Sequence, residues 1–568
     1  MKANYAVRIL VAVVVVIAGT LFHGCASTVQ PMKRDVDGGA IAGTPSGSAT
    51  SDRHVLLESI STDFDIETVA PTDVKSPGFS REDFLVLAQG TVEELHELIQ
   101  RSPRIAEGAS GEEALRIAAQ FNGRRSVFEY LVKLGINPAA TQQNGVNSLM
   151  LAASANPNEH IIAFLIATGV PVNSVTGARM TPLMFARSNE NDLVVHTLVR
   201  NGADATARDN DGTSVMMHHI AFGLSRWRLE RLKAAGGTLD PLVPKESFLL
   251  QSVFFSSSYD TRDNVTPLMI AAHWARDPDV LDFVVEHGSN VHARDEFGWT
   301  ALMYAAASGS RGQLERVERL IRHGAGLEAR GQGGLTALML AAQNADDARV
   351  IRSLMSAGTE PNARDNNDVA AIHFAAFGNP TPAITSALVE WGADWTLPGG
   401  ADRYSPLALA AFGNPNPDVL EVLLNVGADP NSPTTLGMTD FMLVLRLSED
   451  AARVRRLLEY GANPRARLAG TAYDALSVAA MFNSNADVIR TLLEFGADPN
   501  AGTNFGFTAL MGAAHRNTNP DVVKVLIEAG TDLGVRDDSG RTAWDLIQEN
   551  AALRNTDVYW YLHDRSFK

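Results

Sequence analysis

One short phrase recurs along this 568-residue chain, and nothing else in it limits the fold as much. It reads "GWTALMYAA" from Gly298, "GLTALMLAA" from Gly334, "YSPLALAA" from Tyr404 and "GFTALMGAA" from Gly506. The third residue of each T-x-L-like tripeptide falls at Leu115, Leu149, Leu183, Val215, Leu268, Leu302, Leu338, Ile372, Leu407, Phe441, Leu476, Leu510 and Trp544. Eleven of the twelve intervals lie between 32 and 36 residues, and the one from Val215 to Leu268 is 53. A period of this size marks a repeat array in which each unit buries its faces only against its neighbours. That also explains how a folded body of about 490 residues can do without one very large core.

Each unit has the same internal order: T-x-L-M-x-A-A, a short break, an amphipathic run such as "NPDVLEVLLNVGAD", then "PNA" and a turn. Thr at the head of the first run caps free helix N–H groups, typically for about 1 kcal/mol relative to Ala. The Ala pair lets this helix approach its neighbours. In the second run Asn416 is a cap, Pro417 takes the first helical position and Asp418 sits at the positive end of the helix dipole. Val419, Val422 and Leu423 make one apolar face. Gly427 ends the run, as do Gly202, Gly288, Gly324, Gly358, Gly392, Gly461, Gly496 and Gly530.

This order of helix, turn, helix and loop resembles the ankyrin repeat from about residue 111 to the C-terminus. A degenerate unit at "DFLVLAQGTVEELHELIQ" precedes it. The resemblance implies an all-α ankyrin-repeat solenoid of about 13 to 14 helix-turn-helix units, curved, with short loop or β-turn fingers. "GRTAWDLIQE" and "DVYWYLHDRSFK" resemble a closing unit, with Trp544, Tyr559 and Trp560 covering the end of the core. Two departures stand out. The family's His after T-P-L, which stitches adjacent loops, is Met at Met150, Met184, Met269, Met303, Met339 and Met511. Only His373 retains it, so these repeats are expected to lean more on apolar packing. The break between helices is also longer and Asn-Pro-rich. An irregular insertion at about 238–262 reads as a loop, a small helix or a ruined repeat.

The opening residues carry a different signal. Lys2 and Arg8 flank an apolar run from Ile9 to Phe22, short of the ~20 residues that a spanning helix needs. It ends in "LFHGCASTVQ", and Cys25 is the only cysteine of the chain. This stretch resembles a bacterial lipoprotein signal. Gly24 and Cys25 match, while Leu21 lies one place early and Phe22 and His23 depart from the pattern. The alternatives are an ordinary small-residue cleavage site at Gly24 and Ala26, or an uncleaved helix. The organisation expected is a lipoprotein-type signal peptide at 1–24, a flexible Ser/Thr/Gly/Pro-rich linker at 25–79 and an ankyrin-repeat domain at 80–568. Lipidation of Cys25 would give a membrane anchor, and Ala26 resembles the outer-membrane sorting pattern. The expected location is the outer membrane of the cell envelope, facing the periplasm or the cell surface. The linker would span roughly 40 Å.

Composition narrows the function. With 45% hydrophobic and 20% charged residues, the bulk is a soluble folded chain. A net charge of −17 disfavours nucleic acid. One cysteine leaves no intrachain disulfide and no thiolate cluster. No Walker loop, H-E-x-x-H or G-x-S-x-G is present. Adjacent His218 and His219 would diverge by about 100° on a helix and so cannot share a metal. "ARDNDG" and "VRDDSG" lack the further ligands of a calcium loop and read as turns. No catalytic residue, metal, cofactor or small-molecule substrate is expected. Arg208, Arg294, Arg330, Arg364, Arg467 and Arg536 recur six residues after the helix-ending Gly. They read as structural partners of adjacent Asp more than as a ladder for an anion.

In ankyrin proteins, partners meet the loop tips and inner helices. Carried over residue by residue, those positions are Phe121, Trp274, Trp299, Phe377, Tyr404, Phe412, Phe482 and Phe507. Such rings dominate interface hot spots. The phenylalanines fit packing under the long breaks equally well, and Trp274 and Trp299 carry the stronger expectation of binding. The function expected is a non-catalytic module that binds an unidentified protein partner on the concave face. The alternatives are an immunity or protective inhibitor of an enzyme or toxin, and a structural spacer or assembly scaffold.

Overall fold

The computed structural model describes residues 79–243, 263–401, 403–434, 437–468, 473–503 and 505–566. Cys25, the signal segment, nearly all of the linker and residues 244–262 of the insertion lie outside the described residues. The chain forms two compact units, one to Asn290 and one from Val291. Among the described residues the first holds six helix pairs and the second eight, so the expected number of repeats is met. The degenerate unit is the first pair, Arg81–Gln89 and Val92–Arg101. Capping boxes from Ser80 to Asp83 and from Thr91 to Glu94 start its two helices.

Inner and outer helices differ as their surroundings require. In the inner helix Ala337–Asn344, Ala337 through Ala342 are all buried, because neighbouring repeats cover it on both sides. The outer helix Ala348–Ser356 buries Val350, Ile351, Leu354 and Met355 and turns Arg349 and Arg352 to solvent. Gly358, at φ 102°, ends it in the left-handed region. Thr336 accepts the Met339 N–H at 3.3 Å, and the same cap recurs at Thr181, Thr266, Thr300, Thr439 and Thr508. In the repeat at 214 the cap is Ser214, whose Oγ accepts from Met217, so Met216 and not Val215 fills the Leu position there. The insertion is closed at its base. The Val243 N–H donates to the Val265 carbonyl at 2.8 Å, and both side chains are buried.

The methionines do more than pack. Met269, Met339 and Met511 each offer sulfur to the N–H of the capping Thr at 3.4 to 3.5 Å, the amide that His373 accepts through Nδ1 at Ala370. His373 also donates from Nε2 to the Leu397 carbonyl of the next finger, 2.9 Å away, which a thioether cannot do. The missing stitch is supplied by the Asn-rich breaks. Asn156 donates to the Ala119 and Asn122 carbonyls, and Asn189 to those of Ala153 and Asn156. In the second unit Asn414 reaches Ala376 and Asn379, Asn517 reaches Ala480 and Asn483, and Asn550 reaches Ala514 and Asn517. The acceptors lie in and just past the last turn of the preceding inner helix, where helices leave carbonyls without partners. A second row of asparagines, two residues on, repeats the pattern: Asn191 to Pro157, Asn416 to Pro380 and Asn519 to Ser484.

Two repeats that lack the first asparagine replace it with an arginine, fully buried at Arg228 and largely buried at Arg453. Arg228 donates to the carbonyls of Ala186 and Asn189 at 3.2 and 2.6 Å, and Arg453 to those of Ala411 and Asn414 at 3.0 and 2.5 Å. Both reach from the outer helix to the carbonyl pair that an asparagine would take. Beside the apolar packing on which these repeats are expected to lean more, the breaks therefore supply polar stitching of their own.

Candidate protein-binding face

The rings of the expected set lie in the last turn of an inner helix or just before its N-cap. In the first unit Phe121 ends the helix Gly108–Phe121 and packs edge-on against Phe84 at 5.7 Å. Trp274 ends Pro267–Trp274 half-exposed, 4.9 Å from His273. In the second unit Trp299 precedes its cap and lies against Tyr304 at 5.5 Å. Its indole also covers Gly331, where an added Cβ would meet it at 2.7 Å. Phe377, Tyr404 and Phe412 form one cluster, with Phe412 6.2 Å from Phe377 and 5.8 Å from Tyr404. Tyr404 is only 8% exposed, and the Phe377 ring rests on Gly413. Phe482 is 42% exposed beneath the Arg446 guanidinium, and Phe507 meets Tyr473 edge-on at 6.0 Å.

Around Phe507, residues outside the sequence-derived set add to these rings. Tyr473, Met481, Phe505, Phe507, His515 and Arg516 border a cavity of about 400 Å³. Phe505 stands 56% exposed at the finger tip. The rule that selected Phe507, the position before the Thr, passes over Phe505 two residues earlier. The bare aromatic in a turn was the available signal.

Other candidate groups have structural work. His218 accepts from Arg187 at Nδ1 (2.9 Å) and donates from Nε2 to Asp209 (2.8 Å), all three inside the first unit. Burial holds His218 below its usual range and draws Arg187 down to about 10. His219 donates to the Leu183 carbonyl instead, so the two histidines diverge as core residues. The recurring arginines tie finger to finger: Arg294 donates to the Arg330 carbonyl, Arg330 to Arg364 and Arg364 to Pro398. Arg208 forks onto Asp240. Among the described residues no group of three His, Cys, Asp or Glu is placed to hold a metal, and no helix is long and apolar enough to cross a membrane.

A family model for ankyrin repeats, three copies long, matches residues 115–209, 248–331, 268–365, 338–434 and 441–543. These matches cover well over half of the chain, which belongs to the ankyrin-repeat family. Ankyrin repeats generally mediate protein–protein interaction, and proteins built from them are typically non-catalytic.

Proposed function

We propose that this chain is a non-catalytic protein-binding module tethered to a membrane of the cell envelope through lipid on Cys25. Partner contact falls on the inner helices of each unit: Phe121 and Trp274 are the candidate residues of the first, and Trp299, Phe377, Phe412, Phe482 and Phe507 those of the second. Several acyl chains, at about 0.8 kcal/mol per buried methylene, hold such a protein stably on the outer membrane. The observation that carries the binding reading is the row of partly exposed rings at the ends of inner helices, in a family whose general role is protein recognition.

The test places a photocrosslinking amino acid at Trp274, Phe412 or Phe482, and at Arg349 and Lys524 of outer helices as controls, in intact cells. Adducts from the inner positions alone support the reading. Equal adducts from both faces point to a spacer contacted all over. A Cys25→Ser chain moves to the soluble fraction if lipid is the tether, and stays on the membrane if it is not.

A further inference from the structure

We infer that the second unit's face from Arg446 to Arg541 binds a short extended segment of a partner protein, in which an aromatic or large aliphatic side chain is flanked by carboxylates. This rests on the protein-binding reading above and supplies the chemistry of the partner.

Among the described residues, cations lack acidic partners at one place in this unit. The chain has 65 acidic residues against 48 basic ones. On the outer helices of the second unit, Arg352 pairs with Glu390, Arg455 with Glu494, Arg456 with Glu421 and Arg490 with Asp487. Arg446 and Arg516, in the last turns of the inner helices Asp440–Leu447 and Ala509–Arg516, have no ion pair among the described residues. The inner helices of this unit carry acids only in their first turns, at Asp440 and Asp545, and of the acids just past their ends Glu449 accepts from the Ser484 hydroxyl and Glu549 lies 4.0 Å from His515. At the cavity rim the Asp537 carboxylate is already held by the Arg541 guanidinium at 2.9 Å and by the N–H groups of Ser539 and Arg541. Asp538 also lines this cavity, its N–H donating to the Phe505 carbonyl at 3.0 Å, and it has no ion pair with Arg516. An overall acidic protein thus shows two uncommitted guanidinium groups on one face.

Rings and a thioether lie between these arginines. Phe482 offers an open ring with Arg446 5.0 Å above it. Tyr473, Met481, Phe505 and Phe507 wall the 400 Å³ cavity beside Arg516. Aromatics with a flexible thioether accept a large apolar side chain, and bordering arginines select carboxylates around it. A nucleic acid carries too many charges for two arginines on a chain of net −17.

The experiment pans a phage library of random 12-residue peptides on the purified full-length protein. Binding of the most enriched peptide is then measured by fluorescence anisotropy. Enriched peptides should share an aromatic or Leu/Met flanked by Asp or Glu. An Arg446→Gln, Arg516→Gln double variant should bind at least tenfold more weakly, and Phe505→Ala several-fold. Lys524→Gln on an outer helix should be unaffected, and Arg446→Lys with Arg516→Lys should restore much of the loss. Neutralising the peptide's acids should weaken binding to the native chain and add nothing in the double variant. Circular dichroism checks each fold. Peptides without acids, or unchanged affinity in the double variant, overturn the inference. If such peptides depend on Trp274 or Trp299, the protein-binding reading survives and only the acidic-segment proposal falls. Tighter binding of a 20-nucleotide oligothymidine than of any peptide, lost in the double variant, overturns it in favour of nucleic acid.

Discussion

Replacing Asn517 with Ala tests whether the asparagine rungs hold the repeats together. Its side chain is 3% exposed, donates at 2.8 Å to the carbonyls of Ala480 and Asn483, and accepts the Asn519 N–H at 2.9 Å. Each bond contributes about 0.5–1.5 kcal/mol net, and groups left buried without partners cost about 1–3 kcal/mol apiece, so the loss should be about 3–5 kcal/mol. Asn519, in the second row, donates to Ser484 at 2.7 Å and caps the next helix at Asp521. Being half-buried, it lets water replace part of what it loses, and Asn519→Ala should cost only about 1–2 kcal/mol. In a nearest-neighbour stack the damage stays local. Hydrogen exchange followed by mass spectrometry on the full chain should therefore show faster exchange in peptides spanning 475–530 and little change in those spanning 300–360. Urea denaturation gives the magnitude. A loss below about 1 kcal/mol, a uniform rise in exchange, or equal effects at Asn517 and Asn519 would refute the reasoning.

Three further outcomes follow from the same contacts. Arg453→Met should cost about 2–4 kcal/mol by leaving the Ala411 and Asn414 carbonyls unpaired, and adding Ser448→Asn should recover most of it in urea denaturation; simple additivity would count against an arginine rung. Asp440 is buried with the Ser405 hydroxyl on its carboxyl, and burial raises it to about 7, so the folded state loses stability as pH rises from about 4 through 7. Asp440→Asn should accordingly be more stable than the native chain above pH 7, by up to about 4 kcal/mol, with the gap closing towards pH 4. His373, held by burial at about 4, gives stability that is present at neutral pH and drains as pH falls from about 6.5 to 4. His373→Met should be about 1 kcal/mol less stable at pH 7.5, through the lost Leu397 bond, yet lose less on acidification.

The architecture was legible because helix capping and apolar spacing are local. Thr336, the Ala341–Ala342 pair and Gly358 announce one repeat with no knowledge of its neighbours. Val215 misled because Thr213 stands one residue before the true cap, Ser214, and only the hydrogen bond from Met217 settles which residue caps. The rungs were half visible. "NPN" at 156–158 and 414–416, "NEN" at 189–191 and "NTN" at 517–519 keep one spacing, but their acceptors are backbone carbonyls, which leave no mark on sequence. The proposed binding face was legible in its rings. It was not legible in its charge, since nothing in the sequence distinguishes Arg516, without an acid, from Arg490, which holds Asp487.

A rung whose acceptors are main-chain atoms is indifferent to the identity of the side chains beside it. Any unit that ends its inner helix at the same place presents the same two carbonyls, so a duplicated unit would dock on its parent at once. Substitutions on the exposed faces could then accumulate without loosening the joint. The asparagines make length and surface separately adjustable, so an array of this kind can be lengthened by copying and given new surfaces afterwards, unit by unit.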